Sequence, residues 1–268
     1  KGKKKIFITN YALLIKYFFI FFYLKNNTKI ILTIHSGLLN LNLKNYIAGF
    51  LFSLIYNKVD YLYFGSKSAK IWWKLKFPWM KIDNCLVHYN GVKVNKNIKI
   101  RKLKKIVNVS FIGRLEHENN PKFFLEIASE YLKENKNVLF HVYGNGKIKN
   151  YLQNLFSNKK IIFHGWQKKN KIFKYTDLVI ITSPVNNFPY VALEAKSFGI
   201  PVITCSKGDI IKIVKNNVDG IIKYTNSKKD MTNLIKKVLK NYKYYSKNCL
   251  IRSKEYEVEK LCKSFWKD

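Results

Sequence analysis

Short apolar runs recur along this chain, and from Val107 onward they do so with a steady rhythm. The runs Val107 to Ile112, Val138 to Tyr143, Ile161 to His164, Leu178 to Thr182, Pro201 to Cys205 and Gly220 to Tyr224 predict strands buried on both faces. Between them, Pro121 to Glu134, Lys147 to Phe156, Lys169 to Tyr175, Tyr190 to Phe198 and Ile210 to Lys215 predict helices. Strands and helices in strict alternation imply an α/β fold whose parallel sheet is covered by helices. The end, Ser227 to Asp268, reads as helical and rich in Lys. An earlier set is less regular. Lys29 to Ile34, Asp60 to Gly65 and Asn84 to Tyr89 read as strands, Leu43 to Tyr56 as a helix, and Ser66 as the cap of a helix ending before Pro78.

The two sets are joined by a polar, basic stretch, Lys93 to Lys105, which reads as a linker. At about 100–150 residues per domain, a chain of 268 residues suits two α/β units in series, 1–95 and 96–268. The segment Tyr11 to Leu24 has 14 residues and contains Lys16. A membrane span needs about 20 apolar residues, so a buried or interfacial helix is expected there. The opening KGKKK followed by an apolar run mimics a secretory leader, but no small-residue cleavage site follows.

Charge adds a second layer. Lys and Arg number 50 against 16 acids, a net charge of +34. Either the chain meets an anionic partner, or its composition has drifted toward Lys, Asn and Ile; only three of the fifty cations are Arg, which favours drift as the main cause. Such a surface is still attracted to an anionic membrane. The lysines are spread along the chain instead of forming one stripe, so no specific nucleic-acid partner is expected. The four cysteines form no C-x-x-C pair and the five histidines no H-x₃-H, which points to reduced thiols, a cytoplasmic site and no metal.

In parallel sheets ligands bind outside the carboxyl ends of the strands. Three such ends stand out. In FIGRLEHENNP, Gly113 allows a tight turn, and Arg114 either grips a phosphate or pairs with Glu116 or Glu118. In HVYGNGKIKN, the glycines around Asn145 read first as a plain strand-to-helix turn, lacking the third Gly of a dinucleotide loop. In NNFPYVALEAKSFGIPV, Pro189 fits the first position of a helix whose N-terminus is an anion site, with Tyr190 and Val191 offering backbone N–H groups. Glu194 lies about one turn on. It either accepts two hydrogen bonds from a vicinal diol or serves as a capping or salt-bridged carboxylate.

These loops, in this order, resemble the C-terminal domain of a GT-B glycosyltransferase of family 4. The pieces are FIGRLEHENNPKFFLEIA, HVYGNGKIKNYLQ, IIFHGWQ, DLVIITSPVNNFPYVALEAKSFGIPVITC and GDIIKIVKNNVDGII, running from Val107 to about Tyr224. TIHSG, FGSKSAK and VHYNGV resemble the end of the family's acceptor domain. The resemblance implies two Rossmann-like domains facing a cleft, with Glu194 turned into it. It implies a nucleotide-sugar donor, UDP- or GDP-sugar, a glycan or lipid-linked acceptor, and retaining transfer without a metal or cofactor. Surface polysaccharide or lipopolysaccharide-type synthesis, peripheral on the inner face of the membrane, is the implied setting. Arg114 would bind the diphosphate and Glu194 the ribose. Phe188, Pro189, Tyr190 and Val191 would present backbone to phosphate and sugar. Gly113 and Gly144 would line the donor loops, Gly165 and Trp166 would lie beside the base, and His35 matches the acceptor-domain histidine near the transferred sugar.

Two positions depart from the family pattern. The first Glu of its E-x₇-E pair falls on Asn186, and its usual Lys falls on Asn119. Losing that cation removes a charge-assisted contact to the diphosphate. Nothing before His35 matches the family's opening strand and Gly-rich loop, so a truncated N-terminal domain is expected. These departures support an alternative, a non-catalytic or truncated relative acting as a partner subunit.

Overall fold

The computed structural model describes residues 4–8, 10–17, 23, 28–35, 43–94, 98–186 and 188–265. Ser36 and Gly37 of the TIHSG stretch, and residues 18–22 and 24 of the apolar segment, lie outside these. The chain divides into two units, Lys1–Asn90 and Gly91–Asp268.

In the first unit, strands β1 (Lys4–Ile8), β2 (Thr28–Ile34) and β3 (Tyr61–Phe64) form a parallel sheet in the order β1-β2-β3. Strand β1 is not among the elements the sequence predicts. Lys4 to Ile8 pair in register with Thr28 to Leu32, and the period-two pattern buries Ile8 while leaving Phe7 exposed. Helix α1 (Tyr11–Lys16) is capped by the Asn10 side chain; α2 (Leu43–Ile55) and α3 (Lys67–Lys76) follow, the latter capped by Ser66 as expected. The core is aromatic: Trp73 meets Tyr11, Phe52 and Phe77 at ring distances of 5.2–5.6 Å. The strand expected at Asn84 to Tyr89 does not form. That stretch makes a single bridge, Val87 to Phe64, with two backbone bonds, too few to propagate a ladder.

The second unit holds six parallel strands: β4 (Val107–Ile112), β5 (Val138–Tyr143), β6 (Ile161–Gly165), β7 (Leu178–Ile181), β8 (Val202–Thr204) and β9 (Gly220–Ile222). Their order is β6-β5-β4-β7-β8-β9. The chain therefore builds outward from β4 to β6, returns to the other side of β4, and builds outward again. This is the doubly wound order, with its switch point between β4 and β7. The covering helices are α4 (Pro121–Glu134), α5 (Lys149–Leu155), α6 (Lys169–Tyr175), α7 (Tyr190–Ser197) and α8 (Ile210–Ile213), then α9 (Lys228–Lys240), α10 (Tyr242–Ser253) and α11 (Val258–Phe265). The core is continuous from Val109 and Phe111 through Phe124, Phe140 and Ile180 to Ile235.

Residues 98–106 form no helix or strand, yet they are pinned to the second unit. Arg101 donates to the Phe173 carbonyl at 2.8 Å and pairs with Asp177 at 3.4 Å, while its amide donates to Ser246 Oγ at 3.0 Å.

Candidate functional site

At the switch point the β4–β7 ladder is short. It registers Val109 with Leu178 and Ser110 with Val179, whereas β4 stays paired with β5 as far as Ile112 and β7 with β8 as far as Ile181. Beyond Ser110 the two central strands stop pairing, and a pocket of about 460 Å³ opens between their carboxyl ends. Gly113, Arg114, Asn119, Asn186, Pro189, Tyr190 and Val191 line it, as do Thr182 and Ser183. Seven of the thirteen residues singled out from the sequence thus converge on one concavity; Gly144, Gly165, Trp166, Phe188 and Glu194 are not on its lining, and His35 belongs to the first unit.

The loops at the pocket are braced by backbone. Gly113 N–H donates to Tyr143 O, Leu115 N–H to Asn145 O, and Gly144 N–H to Gly165 O, at 2.8–3.0 Å. This changes the reading of the glycines. Gly113 has ordinary φ and room for a side chain, but a Cβ on Gly144 (φ +134°) would lie 1.9 Å from Gly113 O, and one on Gly146 2.2 Å from Leu115 O. The G-x-G is more than a turn: it lets the β5 loop lie against the loop that carries Arg114.

Arg114 projects into solvent and pairs with Glu118. Asn119 Nδ2 donates to Arg114 O at 2.9 Å, so the position where the resemblance leads one to expect a Lys here closes the loop on itself. Asn120, left-handed at φ 49°, caps α4 ahead of Pro121. The Thr182 hydroxyl donates to the carbonyls of Asn119 (3.2 Å) and Asn120 (2.8 Å), tying the end of β7 to this loop.

The opposite wall is the start of α7. Pro189 is its N-cap, one position earlier than the sequence suggests, because its ψ of 113° is extended; no side chain caps the helix. Ala192 N–H already donates to Pro189 O at 3.1 Å, so the N–H groups ahead of the helical ladder are those of Tyr190 and Val191, and the helix dipole leaves this end positive. Asn186, also on the lining, has its amide taken up within the protein: it donates to Ser183 Oγ and, at 3.0 Å, to Ser206 Oγ. Phe188 is buried and packs its ring on Tyr256 at 5.9 Å.

Glu194, one turn along α7, accepts from Lys169 Nζ at 3.2 Å; the carboxylate side chain is 25% exposed. Burial, with the Glu194 carboxylate as a second cause, raises the Tyr190 phenol. Trp166 stands 73% exposed at the end of β6, after Gly165 at φ +66°. In the first unit, His35 follows β2, and its Nδ1 lies 3.4 Å from Asn90 Nδ2. Partial burial holds its imidazole below the ordinary value. Gly65 makes room for that ring, since a Cβ there would sit 2.7 Å from Nδ1.

Thr182, Ser183, Ser206 and Lys169 were not singled out from sequence. The two hydroxyls that end LVII were findable once the strand order was known; one lysine among so many carries no signal. Among the described residues, no group of three His, Cys, Asp or Glu is placed to hold a metal ion, and no helix is long and apolar enough to cross a membrane.

Comparison with known proteins places this site in a family. The profile described as Glycosyl transferases group 1 matches residues 94–249. An uncharacterized glycosyltransferase of Methanocaldococcus jannaschii is 29% identical over 154 residues, 55% of this chain and 38% of that protein. The UDP-Gal:alpha-D-GlcNAc-diphosphoundecaprenol alpha-1,3-galactosyltransferase of Escherichia coli is 29% identical over 151 residues, 52% of this chain and 39% of that protein. The aligned part is thus about two fifths of either relative's length. Among solved structures, HepE of Anabaena in complex with UDP and glucose superposes with a TM-score of 0.80 at 15% identity, over 98% of this chain and 76% of that one, which establishes a GT-B-like fold.

Proposed function

The chain belongs to the glycosyl transferases group 1, and on that footing we propose that it binds a nucleotide sugar and moves the sugar, with retention and without a metal, to a glycan or lipid-linked acceptor. The reading is carried by the pocket at the switch point, where the Arg114 loop and the uncapped start of α7 face one concavity. Sugar transfer breaks the bond to a diphosphate, so catalysis depends on stabilising negative charge on the departing oxygens. A helix N-terminus supplies fixed dipoles for this, and a guanidinium supplies a two-pronged donor. The Arg114–Glu118 pair is exposed, and such pairs contribute about 0–1 kcal/mol, so a diphosphate readily takes Glu118's place.

In this reading Glu194 accepts the two ribose hydroxyls, Gly165 and Trp166 flank the base, and His35 serves the transferred sugar. The names of the relatives support UDP as the nucleotide, and that of the Escherichia coli protein supports a lipid-linked acceptor. Surface polysaccharide synthesis, peripheral on a membrane, is the setting that follows. A second reading, a non-catalytic partner subunit, is favoured by Asn119 and Asn186, whose amides are both engaged inside the protein.

The test is a titration with UDP-, GDP- and ADP-sugars followed by melting temperature, with Glu194→Ala alongside. Stabilisation by UDP-sugars that the variant loses is the expected result. A response to no donor would overturn the transfer reading and leave the partner-subunit one.

A further inference from the structure

The helix α2, LKNYIAGFLFSLI, is apolar nearly all round. One side is buried: Phe52 and Ser53 are inaccessible, and Gly49 lies against Phe77 and Trp73. The other side carries Leu43, Ile47, Phe50, Leu51 and Leu54, spaced i, i+4, i+7, i+8 and i+11, and all five are 40–74% exposed. That spacing is one continuous helical stripe. A helix with apolar residues on both faces, only one of them covered, leaves the second face for a partner.

The surroundings of the stripe say which partner. Trp79, half exposed, packs edge-on against Phe50 at 6.0 Å and donates its indole N–H to Ser53 Oγ at 3.1 Å. Tyr46, 40% exposed, lies 6.0 Å from Phe77. Exposed lysines flank both: Lys76 immediately before Phe77, Lys58 on the turn that ends α2, and Lys81, whose amide donates to Tyr56 Oη at 2.8 Å. The sequence 1–90 contains 14 Lys, no Arg and two acids, Asp60 and Asp83, a net +12. Both acids are already engaged: Asp60 accepts the Ile30 amide and Asp83 pairs with Lys74.

We propose that the outer stripe of α2, with Trp79, is a docking face for an anionic lipid surface. An apolar stripe fringed by Trp, Tyr and Lys is the make-up of a helix lying in the plane of a membrane interface, its apolar side among the acyl chains and its cations at the headgroups. At 13 residues the helix is about 20 Å long, short of a roughly 30 Å hydrocarbon core, so it lies on the membrane and does not span it. The inference stands without the transferase reading, but it would bring a lipid-linked acceptor within reach of the same chain.

The test is co-sedimentation of the full chain with vesicles of phosphatidylcholine alone or mixed with phosphatidylglycerol. Alongside it goes the variant Ile47→Gln, Leu51→Gln, Leu54→Gln, which changes exposed positions only. Expected are binding to the mixed vesicles, a fall of about tenfold in the variant, and quenching of Trp79 fluorescence by brominated lipid, read against Trp79→Phe. Unchanged melting temperature keeps a folding defect out of the result. Equal binding by the variant would mean attraction by charge alone and overturn the proposal. A dimer without lipid that the variant dissociates would show that a second copy covers the face, and would overturn it too.

Discussion

The short helix α7 carries a lysine–carboxylate pair on each of two sides, and the two could hardly differ more. Glu194 pairs with Lys169 at 3.2 Å, with side-chain exposures of 25% and 52%. Lys196 pairs with Asp219 at 2.7 Å, and both side chains are wholly buried. Two residues along a helix is about 200° of rotation, so residues 194 and 196 point opposite ways. Lys196 also donates to Ile213 O, and Asp219 accepts from Arg252 at 2.8 Å and from the Lys215 amide at 2.7 Å. One pair is locked by a full set of partners; the other is open to exchange with a ligand. The helix ends just beyond in a Schellman turn, Ile200 N–H to Ala195 O and Gly199 N–H to Lys196 O, with Gly199 at φ +69°. Its far end is thus fixed while its near end faces the pocket.

The sharpest way to break this contrast is Lys196→Ala. Removing one partner of a buried pair leaves an uncompensated charge, so about 3–5 kcal/mol of stability should be lost. Urea unfolding measures it; a loss under 1 kcal/mol would mean that Arg252 alone suffices for Asp219. Glu194→Ala should do the reverse. Its stability should stay within about 1 kcal/mol, while nucleotide affinity falls by about 1.5–3 kcal/mol, the range of hydrogen bonds to a charged group. A nucleotide lacking both ribose hydroxyls should bind wild type and variant alike, which tests the diol and not merely the site.

How far the sequence reveals this depends on the kind of feature. The second unit's strands lie within two residues of the runs that predict them, because buried parallel strands are short apolar segments bounded by turns. Arg114 and Pro189 to Val191, which line the pocket, are legible because each follows a strand end, where topology places ligands; Asn119 comes only from the resemblance to the family pattern. Strand β1 was not legible: with lysine at two of its five positions, its period-two pattern was too short to stand out. Nor was the Lys196–Asp219 pair, since partners 23 residues apart meet only through the fold and their burial has no local signature. The job of Gly144 was likewise hidden, because it depends on Gly113 O, 31 positions away.

A smaller effect is expected on the pocket's other wall. Asn119→Lys puts a cation where the family resemblance leads one to expect it and gives up the bond to Arg114 O. Diphosphate affinity should rise about fivefold, with a steeper dependence on salt, since charge-assisted hydrogen bonds are the stronger kind. Isothermal titration at two ionic strengths reads both. Weaker binding would show that Asn119 matters for holding the loop and not for the charge it lacks.

The smallest change tests the exposed pair itself. Lys169→Ala removes a contact between two partly solvated groups, so stability should move by less than about 1 kcal/mol. Its effect on binding separates two roles. If Lys169 holds the carboxylate in place, its loss frees Glu194 to sample other rotamers, and nucleotide affinity drops a few-fold, less than in Glu194→Ala. If Lys169 competes with the ribose for the same oxygens, its loss raises affinity. The 3.2 Å contact engages Oε1. A carboxylate oxygen has more than one lone-pair site, so a diol can bind with the lysine still in place. A few-fold drop is therefore the expected outcome, and it should vanish in the Glu194→Ala background, where there is no carboxylate left to position.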